Sequence, residues 1–260
     1  MTNKYLSYLI LIAVGLHSLV SVVNAQVFID FETGAVITGY NNVRIPGDSG
    51  TLFSLKTDFK AEPTVYIRLR AGYRISDRHT ISVLYAPLKV KSSGISETQI
   101  DFNGVSFPEG SDINAVYKFN SYRITYRYDI VKRPKIEFGL GFTAKIRDAD
   151  ITLSNGSLSS SKSNVGFVPI INFRLYWMIH EKIGLLFDGD ALAAPQGRAE
   201  DIQLSANYKL NDYFMFRIGY RLLEGGADGN EVYSFALFHY ASFGVTFTLA
   251  KKSDKSTTLD

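Results

Sequence analysis

The sequence predicts an all-β chain that closes as an antiparallel up-and-down barrel of about ten strands and crosses a membrane. Three observations point there. Long stretches alternate strictly between apolar and polar residues, the period of a strand with two unlike faces. Aromatic residues reach 13%, with 18 Phe and 16 Tyr against one Trp, which favours strands. Short and long connections also follow one another in turn. Counts of eight or twelve strands are the alternatives, because 51–59 and two Asn-Gly segments can be assigned either way.

In the first strand Ile29, Phe31, Ala35 and Ile37 oppose Asp30, Glu32 and Gly34, and a loop with Pro46, Gly47 and Gly50 follows. Val65, Ile67, Leu69, Ala71 and Tyr73 then oppose Arg68, Arg70, Gly72 and Arg74, with 51–59 expected above the membrane. A tight turn at 76–79 leads to a third strand over 80–90. The polar excursion 92–112 contains Asn103-Gly104 flanked by apolar residues, a hairpin signal expected to stand up as a small ribbon. The fourth strand sets Tyr122, Ile124, Tyr126 and Tyr128 against Arg123, Thr125, Arg127 and Asp129. The fifth sets Ile136, Phe138, Leu140, Phe142, Ala144 and Ile146 against Glu137, Gly139, Gly141, Thr143, Lys145 and Arg147.

Asn155-Gly156 and the serine run 157–163 read as another long loop, followed by strands over 165–179 and 183–193. The closing meander is the most regular part. Ile202, Leu204, Ala206, Tyr208 and Leu210 alternate with Gln203, Ser205, Asn207 and Lys209; Phe214, Phe216, Ile218, Tyr220 and Leu222 alternate with Met215, Arg217, Gly219 and Arg221. Phe243, Val245, Phe247 and Leu249 repeat the pattern once more. Connections at 76–79, 131–135, 180–182 and 211–213 are brief, whereas those at 41–50, 92–112, 154–164, 194–200 and 225–232 are on the whole longer. Short periplasmic turns and long external loops are what a barrel inserted from the periplasm shows.

Alternation does not say which row faces inward. Turning Phe138, Phe142, Tyr122, Tyr126, Phe173, Trp177, Phe214, Phe216, Tyr220, Phe243 and Phe247 inward would overfill a bore of about ten strands. The opposite rows mix glycine with long charged side chains, so large can interleave with small. The lumen is therefore expected to hold Arg68, Arg70, Arg74, Arg123, Arg127, Lys145, Arg147, Arg174, Arg217 and Arg221 against Asp30, Glu32, Asp129, Glu137, Asp188 and Asp190. Charges removed from water must be paired, so a network that largely fills the bore is expected rather than a wide pore.

Residues 1–25 read as a secretory signal peptide, with Lys4 before a largely apolar run and Val23-Asn24-Ala25 ahead of a cut between Ala25 and Gln26. Residues 26–249 form the barrel and 250–260 a polar, disordered tail. Beyond the signal segment no stretch has ~18 consecutive apolar residues, which excludes a helical membrane protein. The chain has no cysteine, so disulfides, thiolate metal sites and cysteine lipid anchors are excluded. A net charge of +3, from 28 basic and 25 acidic residues, gives no support to a nucleic-acid partner.

Ala194-Pro195-Gln196-Gly197-Arg198, Gly219-Tyr220-Arg221 and Leu223-Glu224-Gly225-Gly226-Ala227-Asp228, taken with the signal segment and the aromatic rows, resemble small bacterial barrels of the "outer membrane protein beta-barrel domain" type. The resemblance spans the mature chain and is one of pattern. It implies a Gram-negative outer-membrane location, outer-membrane lipid around the wall, periplasmic chaperones and the barrel assembly machinery as partners during biogenesis, a monomer, and no assigned activity in most members. One departure is the end of the chain: such barrels finish on an aromatic residue, whereas here Leu249 is followed by a polar tail.

No cofactor or metal is implied. After the signal segment the chain has His79, His180 and His239, the first two in expected periplasmic turns, so chemistry at the outer rim would depend on His239, which parity puts on the lipid face. Asp188, Asp190, Glu224, Asp228, Glu231 and Ser242 could join it by proximity, but none lies in a nucleophile motif. Asp228-Gly229-Asn230-Glu231 lacks the alternating oxygens of a calcium loop and reads as a Gly-rich turn. The expected role is structural or surface-interacting; a narrow channel for small solutes, and a rim hydrolase of lipid A deacylase or protease type, are the alternatives.

Overall fold

Each alternating segment forms a strand, and every barrel strand pairs with the next. The structure, a computed structural model, describes residues 26–195 and 197–249. The expected signal segment with Ala25, residue Gln196 and the tail 250–260 lie outside the described residues. The elements are β1 (Gln26–Arg44), β2 (Phe53–Ser54), β3 (Lys60–Ala61), β4 (Thr64–Arg74), β5 (His79–Ala86), β6 (Lys89–Ile95), β7 (Ile100–Phe102), β8 (Val105–Phe107), β9 (Asp112–Arg133), β10 (Ile136–Ser154), β11 (Ser159–His180), β12 (Ile183–Ala194), β13 (Gly197–Lys209), β14 (Phe214–Asp228) and β15 (Tyr233–Leu249). β1, β4, β5 and β9 to β15 form a closed antiparallel barrel of 10 strands, sealed where β1 pairs with β15 from Val27↔Leu249 to Arg44↔Tyr233.

The apolar rows face outward. Val65 is 77% exposed, Ile218 69% and Phe167 66%. A surface so apolar is stable only against acyl chains. On β10 the belt runs from Ile136 to Ile146; ten steps of ~3.4 Å, tilted by ~40°, give about 25 Å of height, the span of an outer-membrane hydrocarbon layer. Just above it, Asp148 and Lys118 pair at 2.9 Å at the rim, which raises the lysine and lowers the carboxyl from their ordinary pKa values. Tyr85 and Tyr122 stack near the outer edge of the belt, and Trp177, Tyr208 and Phe214 lie toward the inner edge, as aromatic girdles do.

Several strands continue well past the bilayer. β9 and β11 have 22 residues each, about twice the ~9–11 that a crossing needs. The serine run expected as a loop is therefore strand: Ser154 pairs with Ser159, leaving only 155–158 as the turn. The expected strand over 80–90 is broken at Pro87-Leu88, because proline cannot donate to the ladder; its second part, β6, leans onto the outer half of β9.

The two segments expected beyond the membrane lie there but fold inward, into the mouth of the barrel. Phe53, Leu55 and Phe59 from 51–59, and Ile100, Phe102 and Phe107 from the β7–β8 hairpin, are buried against the inner faces of Val36, Val43, Tyr117, Leu153 and Phe238. The hairpin turns at Asn103-Gly104 with φ of 46° and 82°, the left-handed pair that suits this dipeptide. Its tip is tied down by Asn103 N–H donating to Ile45 O (2.8 Å) and Asn103 Nδ2 donating to Ser161 O (2.8 Å). It does not stand up as a free ribbon, because apolar residues on both of its strands are more stable in a dry mouth than in water.

Candidate functional site

The inward row carries two different fillings, and the boundary lies where the membrane ends. At bilayer height the filling is ionic. Glu32, 2% exposed, accepts from Arg221 (2.8 and 3.0 Å), Arg217 (2.9 Å), Gln203 (3.0 Å) and the Tyr66 hydroxyl (3.0 Å). Asp201 accepts from Arg221 (2.5 Å) and Arg68 (2.9 Å) and lies 2.6 Å from Arg123. Arg123 reaches on to Asp190 at 2.6 Å, which also accepts from Thr143 (2.7 Å) and Asn172 (3.0 Å). Arg217 holds Asp30 with both terminal nitrogens, at 2.8 and 2.9 Å.

The remaining expected lumen residues also lie on the inward row, with looser partners. Arg127 donates to Asp129 at 3.1 Å, and Arg70–Asp188 and Arg174–Glu137 pair at 3.7 and 3.6 Å. Arg74 donates to Gln26 at 3.3 Å. Two expected members differ from the rest. Arg147 donates to Asn164 rather than to a carboxylate, and Lys145 makes no ion pair or hydrogen bond among the described residues; its ammonium sits 4.8 Å from the centre of the Phe119 ring. Glycines give the long side chains room: a Cβ on Gly244 would lie 2.6 Å from Arg217, and one on Gly139 would collide with Asp129.

Sequence reasoning missed Asp201, which joins three arginines. Its signal was parity with Gln203, Ser205 and Asn207, all inward and nearly inaccessible. Above this layer sits the apolar plug. The void at the junction, lined among others by Tyr66, Arg68, Leu88 and Tyr240, measures only ≈ 10 Å³, room for about one water.

Beside the plug the outer half of the lumen holds a cavity of ≈ 740 Å³. Phe119, Lys145, Val168, Leu192, Ala199 and Leu223 are among its lining residues. It exists because the β12–β13 hairpin is short. β11 pairs with β12 only from Ile171↔Ala191 to His180↔Ile183, which leaves 159–170 without a neighbour on that side. Pro169 lies in the open stretch, where a residue without an N–H costs no ladder bond.

The residues considered for catalysis are not brought together. His239 faces outward, bonded to the Tyr220 hydroxyl at 2.5 Å, while Asp188, Asp190 and Ser242 are buried inside. Glu224 is engaged by Arg198 (2.8 and 2.9 Å) and by the Tyr40 hydroxyl. Glu231 pairs with Lys162 at 3.4 Å. His79 opens β5 and bonds the Tyr126 hydroxyl at 2.8 Å, and His180 ends β11.

No protein-family model matches the chain, and no curated protein sequence does. Among solved structures it is similar to the outer membrane protease OmpT from Escherichia coli, at 9% identity and a TM-score of 0.60 over 88% of this chain and 99% of that one. It also matches the attachment invasion locus protein Ail of Yersinia pestis (10% identity, TM-score 0.40, 87% of this chain and 100% of that one). A third match is Neisserial surface protein A (14% identity, TM-score 0.37, 86% of this chain and 99% of that one). At these identities the likeness is one of fold. The fold is that of bacterial outer-membrane β-barrels.

Proposed function

We propose that the protein is a sealed outer-membrane barrel that works by binding at its outer face, neither conducting solutes nor hydrolysing a substrate. The observation that carries this reading is the double closure of the bore, an ionic layer at bilayer height and an apolar plug above it. An ion entering through the cavity beside the plug would still have to displace the arginines held by Glu32 and Asp201, and the rest of the mouth is filled by Phe53, Phe102 and Phe107, all of them buried. In planar bilayers the purified protein is expected to give no conductance steps. Regular openings in the unmodified chain would overturn the reading.

A hydrolase needs its base within hydrogen-bond reach of a nucleophile or water at the place where the substrate sits. His239 points to lipid while the buried acids and Ser242 point to the lumen, which supports binding rather than turnover, although OmpT is a protease. His239→Ala is expected to leave any cleavage of peptides or lipid A at the level of the unmodified protein. Turnover abolished by that substitution would favour the hydrolase.

A further inference from the structure

The cavity beside the plug combines three features that are unusual together: a buried lysine without a carboxylate partner, a largely apolar lining with charged residues around it, and beside it an edge of β11 that β12 leaves unpaired. Lys145 is 3% exposed. The buried acids of the ionic layer are already engaged, and of the acids that line the cavity Glu224 is held by Arg198 and Glu231 by Lys162. Asp190 serves Arg123, Thr143 and Asn172, and Asp201 serves Arg68, Arg123 and Arg221. Burial disfavours a positive charge that has no partner, so an anion that reached Lys145 would stabilise its charged form and be held by it. Arg147, two residues farther up the same face, adds a second positive charge with no carboxylate partner among the described residues.

The unpaired edge lies at the height of Lys145. Lys145 is paired across the ladder with Val168, within the 159–170 edge of β11 that β12 does not cover. Phe167, outward and paired with Ile146 at the top of the belt, is 66% exposed, so acyl chains reach the lower end of the gap. Leu192 has the inward parity of Asp188 and Asp190 yet is 36% exposed, because it faces the cavity across the low wall. A volume of ≈ 740 Å³ is within the ~300–1,000 Å³ of small-molecule sites.

We propose that this cavity binds a single-chain amphiphile with an anionic head, admitted sideways from the outer leaflet between β11 and the β12–β13 hairpin. The head pairs with Lys145 and Arg147, and the chain lies along Phe119, Val168, Leu192 and Leu223. A carboxylate and a phosphate monoester share this chemistry. The site deepens the binding role proposed above and rests on it.

The test is calorimetric titration of the protein, in a non-ionic detergent, with hexadecanoate, hexadecyl phosphate and hexadecanol. One molecule of anion per chain is expected to bind saturably, about tenfold or more tighter than the alcohol, as one charge-assisted contact allows. The tighter of the two anions identifies the head. Lys145→Met combined with Arg147→Met is expected to erase the preference for anions, and Leu192→Trp, which fills the cavity and leaves the charges in place, to weaken all three ligands at least tenfold. Heat-modifiable migration on a gel checks that each variant is folded. Absence of saturable binding, or anion affinity unchanged in both folded variants, would overturn the site. With bilayers still silent, that result would leave the sealed-barrel reading standing, whereas conductance would remove the reading itself.

Discussion

Replacing Glu32 by alanine is expected to lower the stability of the folded barrel by about 3–5 kcal/mol, the cost of leaving buried charges uncompensated. Glu32 is the shared acceptor of Arg217, Arg221, Gln203 and Tyr66, and Arg68 lies 4.0 Å away. Without it the guanidinium groups of Arg217 and Arg221 keep only Asp30 and Asp201 between them, and lumen side chains have no bulk water to turn to. Urea unfolding in detergent micelles, followed by tryptophan emission from Trp177, measures the loss. The double variant Glu32→Ala with Arg221→Met should cost less than the two single changes added together, because it removes charge from both sides. Additive losses would show that the two side chains do not act as a pair.

The second large effect lies in the plug. Phe102 is fully buried, and its ring centroid is 6.0 Å from that of Phe53 in an edge-on contact. Phe102→Ala is expected to destabilise the closed plug by about 3–5 kcal/mol, the range for truncating a buried phenylalanine. The wall has its own ladder and lipid contacts, so the loss appears locally. Amide exchange in 97–110 and 51–59 should accelerate a hundredfold or more, while the ladder amides of β13 to β15 stay protected. Ile218→Ala, on the lipid face, should leave the plug unchanged. Equal acceleration throughout the barrel would mean that plug and wall open as one unit.

Much of this architecture was legible in the sequence, because a membrane barrel meets two media at once and each strand records both. The ten long strands, the outward aromatic rows and the inward arginines follow from parity and from the limited room inside a narrow bore. The plug did not follow, and β10 shows why. Its inward row reads Gly139, Gly141, Thr143, Lys145, Arg147, then Ala149, Ile151, Leu153; its outward row reads Phe138 to Ile146, then Asp148 and Asp150. Side-chain direction stays constant while polarity exchanges faces near residue 147. Apolar residues pass from lipid on the outside to plug on the inside, and a reading that holds one face apolar throughout ends the strand there. The serine run failed for a related reason, since above the lipid both faces of a strand can be polar.

Asp201 was passed over because it lies at the outer end of its row, where that exchange begins. Lys145 went the other way. Parity grouped it with the paired charges, but pairing depends on which acids remain open to it, and that is set by neighbours far away in the chain.

The seam between β1 and β15 carries a consequence for biogenesis. Glu32 meets Arg221 across 189 positions, and Asp30 meets Arg217 across 187, so the main contacts of the lumen join the earliest strand to the second-last. An open sheet cannot satisfy these charges piecemeal; each must stay hydrated until β14 and β15 come round to β1. Neutralisation of the interior is therefore expected to coincide with closure of the β1–β15 seam.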